Sequence, residues 1–534
     1  KQRRGSNVGR NFLLFVIVIV LLGVLAFTAL NFLGKGQGGQ PANTATPTAA
    51  VPSNGIGVIK APNGESIGIS DGTFAFDTGR SDGVTKQQAA QQLKSGNVSS
   101  AVTLWSSASS QDTSDAEVLI YKEDQAVLAS GSPYITIVVG TMLTGDSGTI
   151  GVGRDDLQGA YVAQKEFNDG SKLPHGVKVR LLIANSGSKT EFATTVAQQI
   201  VQLAQADKTF VGVMGWPYSS RVLNVVSILA HAKIPMISQT ASSDALTGIS
   251  PYFFRVAPPN KDQGIAGAKY AEQVLHGSRV ALFVDPADPY SQSLADAFSA
   301  QFTADGNQVV ATEKYVVGKP DTLPQLLTEA ATHNPDLIYF SGFANDASVL
   351  LTDLPTSGPL ANVYVMGGDA LYELGGYQSS AQAARDHLRF TTFAYPDEWQ
   401  ILCGQGQSFA CSPPAFFNYY KAAYDPNNQH TTGSPYGYTR ADGDVILSYD
   451  AQIVMLTAVS NALTGNKTAI TSDDLVKALK NIQGSRAIQG VSGQISFDTK
   501  GNPVKKAFVI LKVAGGGFFQ QVSVQGCFQV GQCG

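Results

Sequence analysis

Short apolar runs alternate with amphipathic stretches over the central part of the chain. Runs rich in β-branched and aromatic residues predict nine strands, at residues 135–139, 177–183, 210–214, 235–237, 252–256, 280–284, 308–310, 337–340 and 363–366. Helical spacing of apolar residues predicts helices over residues 157–167, 191–204, 221–231, 261–275, 291–302 and 323–332. Continuous apolar strands separated by crossover helices are typical of parallel sheets covered on both faces. Because nine strands are many for one twisted sheet, we expect two α/β lobes.

The N-terminal part has a different pattern. Residues 11–34 contain no charged residue, and as a helix of about 35 Å they would span a bilayer. Four basic residues precede this run (Lys1, Arg3, Arg4 and Arg10), and only Lys35 follows closely. The positive-inside rule therefore predicts a signal anchor, with residues 1–10 in the cytoplasm and the bulk of this single-pass cell-membrane chain extracytoplasmic. A cleaved signal peptide is the alternative, but its shorter apolar region and Ala-x-Ala site are absent from the sequence.

Two further segments separate this run from the α/β region. Residues 35–54 are rich in Gly, Gln, Pro, Ala and Thr, a composition that predicts a flexible linker. Residues 55–131 are expected to form a small unit, with a strand or hairpin at 67–76 around Asp71-Gly72, two helices joined by a turn over 88–110 and a third helix over 115–129. The helical part resembles a single tetratricopeptide repeat. Since solenoids need about three repeats, we interpret it as a spacer or docking module.

Composition and motifs exclude several functions. The chain has 534 residues, 15% of them charged, and a net charge of -4, so nothing in it favours nucleic-acid binding. The six histidines are scattered without a His-Glu-x-x-His motif, and neither a phosphate-binding loop nor Gly-x-Ser-x-Gly is present. The stretch from Gly145 to Gly148 imitates a serine-protease motif, but its α/β surroundings do not suit that fold. We therefore expect that the protein is not an enzyme and that it binds neither a metal ion nor a cofactor.

The residues that follow the predicted strands are small, polar and rich in Gly. They occupy positions 140–145, 215–220 and 238–244 in the first lobe, and 285–290, 341–343 and 367–369 in the second. Ligands of such sheets bind beyond the carboxyl ends of the strands. Ser219 and Ser242 stand where helices would begin, so they serve either as N-caps or as an anion site. Asp369, in the facing lobe, is either an N-cap or a partner for an ammonium group. Opposed anion and cation sites predict a zwitterion, which means an amino acid.

Four blocks of sequence, at residues 233–246, 252–263, 284–295 and 365–369, resemble the leucine/isoleucine/valine-binding solute receptors of ABC transporters. The resemblance runs from about residue 134 to residue 513. It implies the type I periplasmic-binding fold, in which two Rossmann-like lobes are joined by three crossings, here near 256–259, 391–395 and 490–494. The first lobe would comprise 132–256 and 391–490 with an insertion at 396–440, the second 257–390 and 491–515, and residues 516–534 would be a tail.

The resemblance also implies site residues. Ser219 and Ser242 would hold a ligand carboxylate, with Ser220 a further candidate in the same loop. The Ala241 carbonyl and Asp369 would hold the ammonium group, and Tyr290 would cover the ligand. The remaining candidates are Phe343, which stands where leucine-type receptors carry Tyr, and Trp216, which is either a pocket wall or a buried scaffold residue. The family's aromatic residue near Gly151 to Gly153 is absent.

The implied ligand is an amino acid or an amide, and the implied partner is the membrane permease of an ABC transporter. A sensory ectodomain that signals through its anchor is the alternative, and an enzyme that reuses the fold ranks last.

All four cysteines, Cys403, Cys411, Cys527 and Cys533, lie after residue 400. In an extracytoplasmic chain they allow three pairings, of which two local disulfides, 403–411 and 527–533, are preferred.

Overall fold

The computed structural model describes residues 53–373, 376–426, 441–513 and 519–532, and Val51–Gly534 form one compact unit. The expected cytoplasmic end, the anchor at 11–34 and nearly all of the linker lie outside the described residues. Within those residues, one helix, Gly443–Ala462, is long and apolar enough to cross a membrane, with a mean hydropathy of 1.2. Because 78% of its apolar window is buried in the fold, it is a core helix.

Each lobe is built on a seven-stranded sheet. The first sheet has the order β1-β2-β4-β3-β5-β6-β7, in which β1 and β2 are antiparallel and the other strands are parallel. Its strands are β1 Gly57–Lys60, β2 Ser66–Ser70, β3 Tyr134–Thr141, β4 Lys178–Asn185, β5 Phe210–Gly215, β6 Met236–Ser238 and β7 Phe253–Arg255.

The second sheet contains strands β8 to β12, β15 and β16. These are β8 Arg279–Val284, β9 Gln308–Lys314, β10 Leu337–Ser341, β11 Tyr364–Gly367, β12 Leu388–Thr392, β15 Phe508–Val513 and β16 Phe519–Gln525. The order is β16-β15-β12-β11-β10-β8-β9, with β15 and β16 antiparallel to their neighbours. A separate hairpin pairs β13 Ile488–Gly490 with β14 Gly493–Ile495. All nine strands predicted from apolar runs are confirmed. Eight of them pair only with parallel neighbours, whereas β4 also pairs antiparallel with β2.

The described residues contain fourteen α-helices and a nine-residue 3₁₀ helix, Ser379–His387. In the first part of the chain they are α1 Gly83–Lys94, α2 Val98–Gln111, α3 Ala116–Ala129, α4 Ser147–Asp169, α5 Phe192–Ala206, α6 Ser219–His231 and α7 Asn260–Gln273. Further along they are α8 Pro289–Ala304, α9 Leu323–Ala331, α10 Ala344–Thr352, α11 Glu398–Gly404, α12 Phe416–Tyr424, α13 Gly443–Ala462 and α14 Ser472–Lys480.

Both sheets are covered on both faces, as the continuous apolar strands predict. In β8, Val280, Leu282 and Val284 join a core cluster with residues of α7 and α8, whereas Ala281 and Phe283 join a second cluster with residues of α9 and α10. Successive side chains of a strand point to opposite faces, so a run that is apolar throughout is buried on both sides. The first sheet is covered in the same way, by α4 and α13 on one face and by α5 and α6 on the other.

The segment 55–131 differs from its prediction as a unit of its own. Its hairpin pairs β1 with β2, and β2 pairs antiparallel with β4, so both strands extend the sheet of the first lobe. Asp71-Gly72 follows β2 and is not the hairpin turn. The three helices lie close to their predicted positions, but Trp105 and Tyr121 pack into the core of the first lobe. Nothing in this packing confirms a tetratricopeptide repeat.

The C-terminal part also departs from its prediction. Two crossings lie where we expected them, after β7 and after β12. The third was predicted near residues 490–494, which instead form the β13–β14 hairpin. Gly501 and Asn502 still bond to Arg255 of the first lobe, so the chain crosses between Asn502 and β15. The predicted tail contains β16, an edge strand of the second sheet.

The insertion after β12 packs on the first lobe. Tyr420 and Tyr424 of α12 donate hydrogen bonds to the side chain and the backbone carbonyl of Gln158 on α4. Cys403 and Cys411 form a disulfide between α11 and the turn that follows it. Cys527 is disulfide-bonded as well, and Cys533 lies outside the described residues.

Candidate functional site

A cavity lies between the lobes, at the carboxyl ends of the parallel strands. It contains about 570 Å³ of space, including the part open to solvent. The first lobe lines it with residues of α4, the β5–α6 and β6–β7 loops and the start of α13: Gly148, Val152, Pro217, Tyr218, Ser219, Thr240 and Asp444. The second lobe lines it with residues that begin α8 and α10 or follow β11: Tyr290, Phe343, Ala344, Asn345, Asp369, Ala370 and Glu373. This is the edge at which α/β sheets bind ligands.

Asp369 is held in place by residues of two helices. Its Oδ1 accepts hydrogen bonds from Gln263 Nε2 at 2.7 Å and from the Tyr290 hydroxyl at 3.0 Å. The Gln263 Oε1 accepts in turn from the backbone N–H of Asp369 at 2.7 Å. Burial raises the pKa of Asp369 to about 6, although these hydrogen bonds act in the opposite direction. The result is a rigid carboxylate in the cavity wall, suited to a cationic partner.

Ser219 lies across the cavity from Asp369, at the start of α6. It is not the N-cap of that helix, which is Tyr218. The Ser219 hydroxyl oxygen accepts from the backbone N–H of Ser243 at 3.0 Å, so its own hydrogen remains able to donate. A hydroxyl donor at the positive end of a helix of 13 residues is chemically suited to a carboxylate.

Three aromatic rings meet across the gap. The ring centroid of Phe343, from the second lobe, lies 5.2 Å from that of Tyr218 in the first lobe and 5.2 Å from that of Tyr290 in its own. Beside them, Asn345 Nδ2 donates to Asp146 Oδ1 at 3.2 Å, which links α10 to the cap of α4. With these contacts between the lobes, the structure has the closed arrangement.

Four of the eight predicted ligand-binding residues line the cavity: Ser219, Tyr290, Phe343 and Asp369. The other four are absent from its lining. Trp216 is fully buried, donates from Nε1 to Ser186 Oγ at 3.0 Å and packs against Gly140. It is therefore a scaffold residue of the first lobe, the second of the two roles expected for it, and is removed from the candidate ligand-binding residues.

Ala241 also has a different role from the predicted one. Its carbonyl accepts from Arg255 Nη1 at 3.2 Å, and the same guanidinium nitrogen donates to the Ser243 carbonyl at 2.8 Å. A cation of the protein itself thus occupies the place expected for a ligand ammonium. Ser220 follows Ser219 in α6, and Ser242 is buried with no hydrogen-bond partner for its hydroxyl among the described residues.

Sequence reasoning missed several lining residues. Tyr218 and Thr240 lie in two of the loops identified from the sequence, close to the candidate residues Ser219 and Ser242. They were not themselves selected as candidates. Gln263, which orients Asp369, lies within one of the four resembling blocks. Glu373 and Asp444 carried no local signal, because they reach the cavity only through the packing of segments that are distant in sequence.

The family follows from the sequence and the fold together. A family profile described as "Periplasmic binding protein" matches residues 134–517. The chain belongs to this family, a class of solute-binding proteins, and its two-lobed core has the type I fold of that class. No curated protein sequence matches the chain. Membership in the family implies that the binding domain is extracytoplasmic.

Solved structures share the fold at low identity. A leucine-binding protein LivK from Thermotoga maritima is 22% identical, with a TM-score of 0.59 over 73% of this chain and 99% of that one. LivJ from Streptococcus pneumoniae, a branched-chain amino acid transporter substrate-binding protein solved with isoleucine, is 21% identical, with a TM-score of 0.58 over 74% and 99%. An ABC transporter solute-binding protein from Rhodopseudomonas palustris, solved with p-hydroxybenzoic acid, is 16% identical, with a TM-score of 0.59 over 74% and 98%.

Proposed function

We propose that this protein is the solute receptor of an ABC-type importer and that its cleft binds the head group of a free α-amino acid. The observation that carries the proposal is the opposition of Asp369 to Ser219 across one cavity. The carboxylate pairs with the ligand ammonium group, and the Ser219 hydroxyl at the start of α6 donates to the ligand carboxylate. Charge-assisted hydrogen bonds of this kind are about twice as strong as neutral ones.

Closure follows from where these groups lie. Ser219 and Tyr218 belong to the first lobe, whereas Asp369, Tyr290 and Phe343 belong to the second. A ligand seated on the first lobe gains the contacts of the second only when the lobes close, and this difference in contacts shifts the population to the closed form. The closed form is then presented to a membrane permease.

The test measures the unfolding temperature of the purified chain in the presence of each α-amino acid. Every amino acid that raises this temperature is then compared with two of its derivatives. We expect the parent amino acid to stabilise the protein, since a ligand at 100 times its dissociation constant adds about 2.7 kcal/mol. The N-acetyl derivative lacks the ammonium group and the amide derivative lacks the carboxylate, so neither should stabilise it. Equal stabilisation by a parent and both of its derivatives would refute recognition of the head group.

The predicted anchor at residues 11–34 remains part of this proposal. Such a helix would keep the receptor beside its permease through the linker at 35–54. Fractionation of cells that express the chain with and without residues 11–34 provides the check: the full chain should sediment with membranes and the shortened chain should not.

A further inference from the structure

A carboxylate of the N-terminal hairpin joins two loops of the first lobe. Glu65 directly precedes β2, in a part of the chain outside the residues 134–517 that match the family profile. Its Oε2 accepts hydrogen bonds from the Thr144 hydroxyl and from the backbone N–H of Ser188, both at 2.8 Å. Its Oε1 accepts from the Ser188 hydroxyl. Because Thr144 follows β3 and Ser188 follows β4, one side chain holds both loops.

The loop after β4 is shaped to receive this carboxylate. Gly187 has a φ of +67°, and a Cβ there would lie 2.7 Å from Glu65 Oε2, so a side chain at this position would displace the carboxylate. Burial acts to raise the pKa of Glu65, but the hydrogen bonds from Ser188 and Thr144 prevail and the pKa is lowered. The carboxylate is therefore charged at neutral pH, and its hydrogen bonds are charge-assisted.

The carbonyl side of the same loop contacts a buried cation beside the cavity. The carbonyls of Gly187 and Ser188 both accept from Arg221 Nη2 at 2.9 Å. Arg221 is 3% exposed, and its Nε has no hydrogen-bond partner among the described residues. Its guanidinium carbon lies 5.3 Å from the centroid of the Tyr218 ring, a favourable distance between a cation and an aromatic face. Since Tyr218 caps α6 and lines the cavity, the loop after β4 supports this part of the cavity wall.

Thr144 connects Glu65 to a second part of the wall. It lies two residues before Asp146, which caps α4 and accepts from Asn345 of the second lobe at 3.2 Å. Gly148, in the first turn of α4, lines the cavity. The bonds of Glu65 thus reach the segments that begin α4 and α6, although Glu65 is not itself among the residues that line the cavity.

We propose that Glu65 is a positioning residue of the binding site. From the β1–β2 hairpin it holds the loops after β3 and β4, so that Arg221 and Tyr218 keep their places in the cavity wall. The inference rests on the proposed function for the class of ligand, an α-amino acid. The N-terminal hairpin then contributes to binding without contacting the ligand.

The experiment compares Glu65→Ala and Glu65→Gln with the matched control Glu191→Ala, all in the full chain. Glu191 is exposed at the start of α5 and makes no capping hydrogen bond. Burial lowers the pKa of Arg221, whereas the charges of both glutamates are among those that raise it. The control therefore removes a similar charge effect on Arg221 without removing a bond to either loop.

Backbone hydrogen exchange of the ligand-free proteins, measured by mass spectrometry, tests the positioning itself. In Glu65→Ala we expect about tenfold faster exchange at residues 143–149, 186–190 and 217–222, because local opening costs less without these bonds. Exchange in β10 of the second lobe should not change. In Glu65→Gln the amide oxygen can still accept from Thr144 and Ser188, so most of the protection should return.

Binding is measured on the same proteins. Each standard L-amino acid is tested by thermal unfolding, and the one that stabilises the parent chain most is titrated by calorimetry. We expect its affinity to fall about threefold to tenfold in Glu65→Ala, because binding must then order a wall that the parent chain holds ready. The affinity should recover largely in Glu65→Gln and stay unchanged in Glu191→Ala.

The outcomes separate the two proposals. Equal affinities of Glu65→Ala and the parent chain would overturn the inference and leave the head-group proposal standing. Faster exchange spread evenly over the chain, with an affinity that Glu65→Gln does not restore, would show a general loss of stability and would also overturn it. If no amino acid stabilises the parent chain, the proposed function fails. Faster exchange confined to the three segments would even then support Glu65 as the residue that orders this wall, and unchanged exchange there would overturn that role.

Discussion

Asp369 shows how one side chain can be prepared for a ligand before the ligand arrives. Its Oδ1 is held by Gln263 and Tyr290, and the Tyr290 hydroxyl also accepts from the backbone N–H of Ala370 at 3.2 Å. These bonds remove rotational freedom that binding would otherwise have to remove, so the affinity gained per contact is larger. Gln263 and Tyr290 are therefore positioning residues for the ammonium site.

Asp369→Asn should weaken binding of the α-amino acid at least tenfold, about 1.4 kcal/mol. The amide keeps the shape of the carboxylate and loses the charge that pairs with ammonium. Stability without ligand should be unchanged or higher, because the charged form of Asp369 is disfavoured by burial. Titration calorimetry and thermal unfolding measure the two effects. Tyr290→Phe, which removes one positioning bond, serves as the milder comparison, and an unaltered affinity in Asp369→Asn would exclude the ammonium role.

At the scale of elements, the start of α4 forms the surface on which the second lobe closes. Asp146 caps the helix through the backbone N–H of Thr149 at 3.0 Å, and Gly148 and Gly151 leave room for Asn345 and Glu373 of the facing lobe. The glycines weaken the helix slightly, but a side chain at either position would meet the other lobe.

Gly148→Ala should lower the affinity for ligand without lowering the stability of the ligand-free protein. A Cβ at this position overlaps the side-chain amide of Asn345 in the closed form, whereas Ala is at least as good as Gly within a helix. We expect a loss of about threefold to tenfold in affinity, together with reduced compaction on ligand addition in small-angle X-ray scattering. Gly79→Ala is the control, since a Cβ there meets nothing within 4 Å. Equal affinities for the two variants would contradict this account of closure.

The disulfide Cys403–Cys411 also acts at the scale of elements, because it joins α11 to the turn that follows it. It closes a loop with a sequence separation of 8, for which chain entropy predicts a stabilisation of about 2.5 kcal/mol at most. Replacing both cysteines with Ser should lower the free energy of unfolding by up to that amount in urea titrations. Ligand affinity should stay unchanged, because neither cysteine lines the cavity. A large loss of binding would instead place the insertion in the closure mechanism.

At the scale of the whole molecule, buried acids give the protein a distinctive dependence on pH. Burial raises the pKa of Asp369 to about 6 and those of Asp124 and Asp156 to about 7, against an unfolded value near 3.8. A group whose pKa is higher in the folded state contributes stability below its unfolded pKa and loses it as the pH rises through the folded value. The ligand-free protein should therefore become less stable between about pH 4 and pH 7.

Ligand affinity should change in the opposite direction. Protons compete with the ligand ammonium group for Asp369, whose pKa burial raises to about 6, so affinity should rise from pH 5 to pH 7 and then level off. Calorimetry at several pH values measures the affinity, and urea unfolding at the same values measures the stability. Affinity that stays constant from pH 5 to pH 7.5 would show that no titrating carboxylate contacts the ligand.

Much of this architecture could be predicted from local pattern. Nine strands of the two parallel cores and the six crossover helices follow from runs of apolar residues and their period, because a strand buried on two faces has to be apolar throughout; β12 was not predicted, and the two confirmed crossings follow from the family resemblance. Ser219 and Asp369 were identifiable for a related reason, and the family resemblance added Tyr290 and Phe343 in the neighbouring loops. They stand directly after strands, and the carboxyl ends of parallel strands necessarily share one edge.

The tertiary structure decided the features that depend on partners distant in sequence. The β1–β2 hairpin joins the first sheet, β16 joins the second, and the third crossing lies beyond Asn502, because pairing at a sheet edge depends on which backbone is left exposed there. Trp216 and Ala241 lie in loops identified from the sequence, but neither lines the cavity. Trp216 bonds to Ser186 and Ala241 to Arg255, so both belong to the scaffold of the first lobe. Glu373 and Asp444 have no sequence pattern that marks them as cavity residues, since they meet only through the packing of segments distant in sequence.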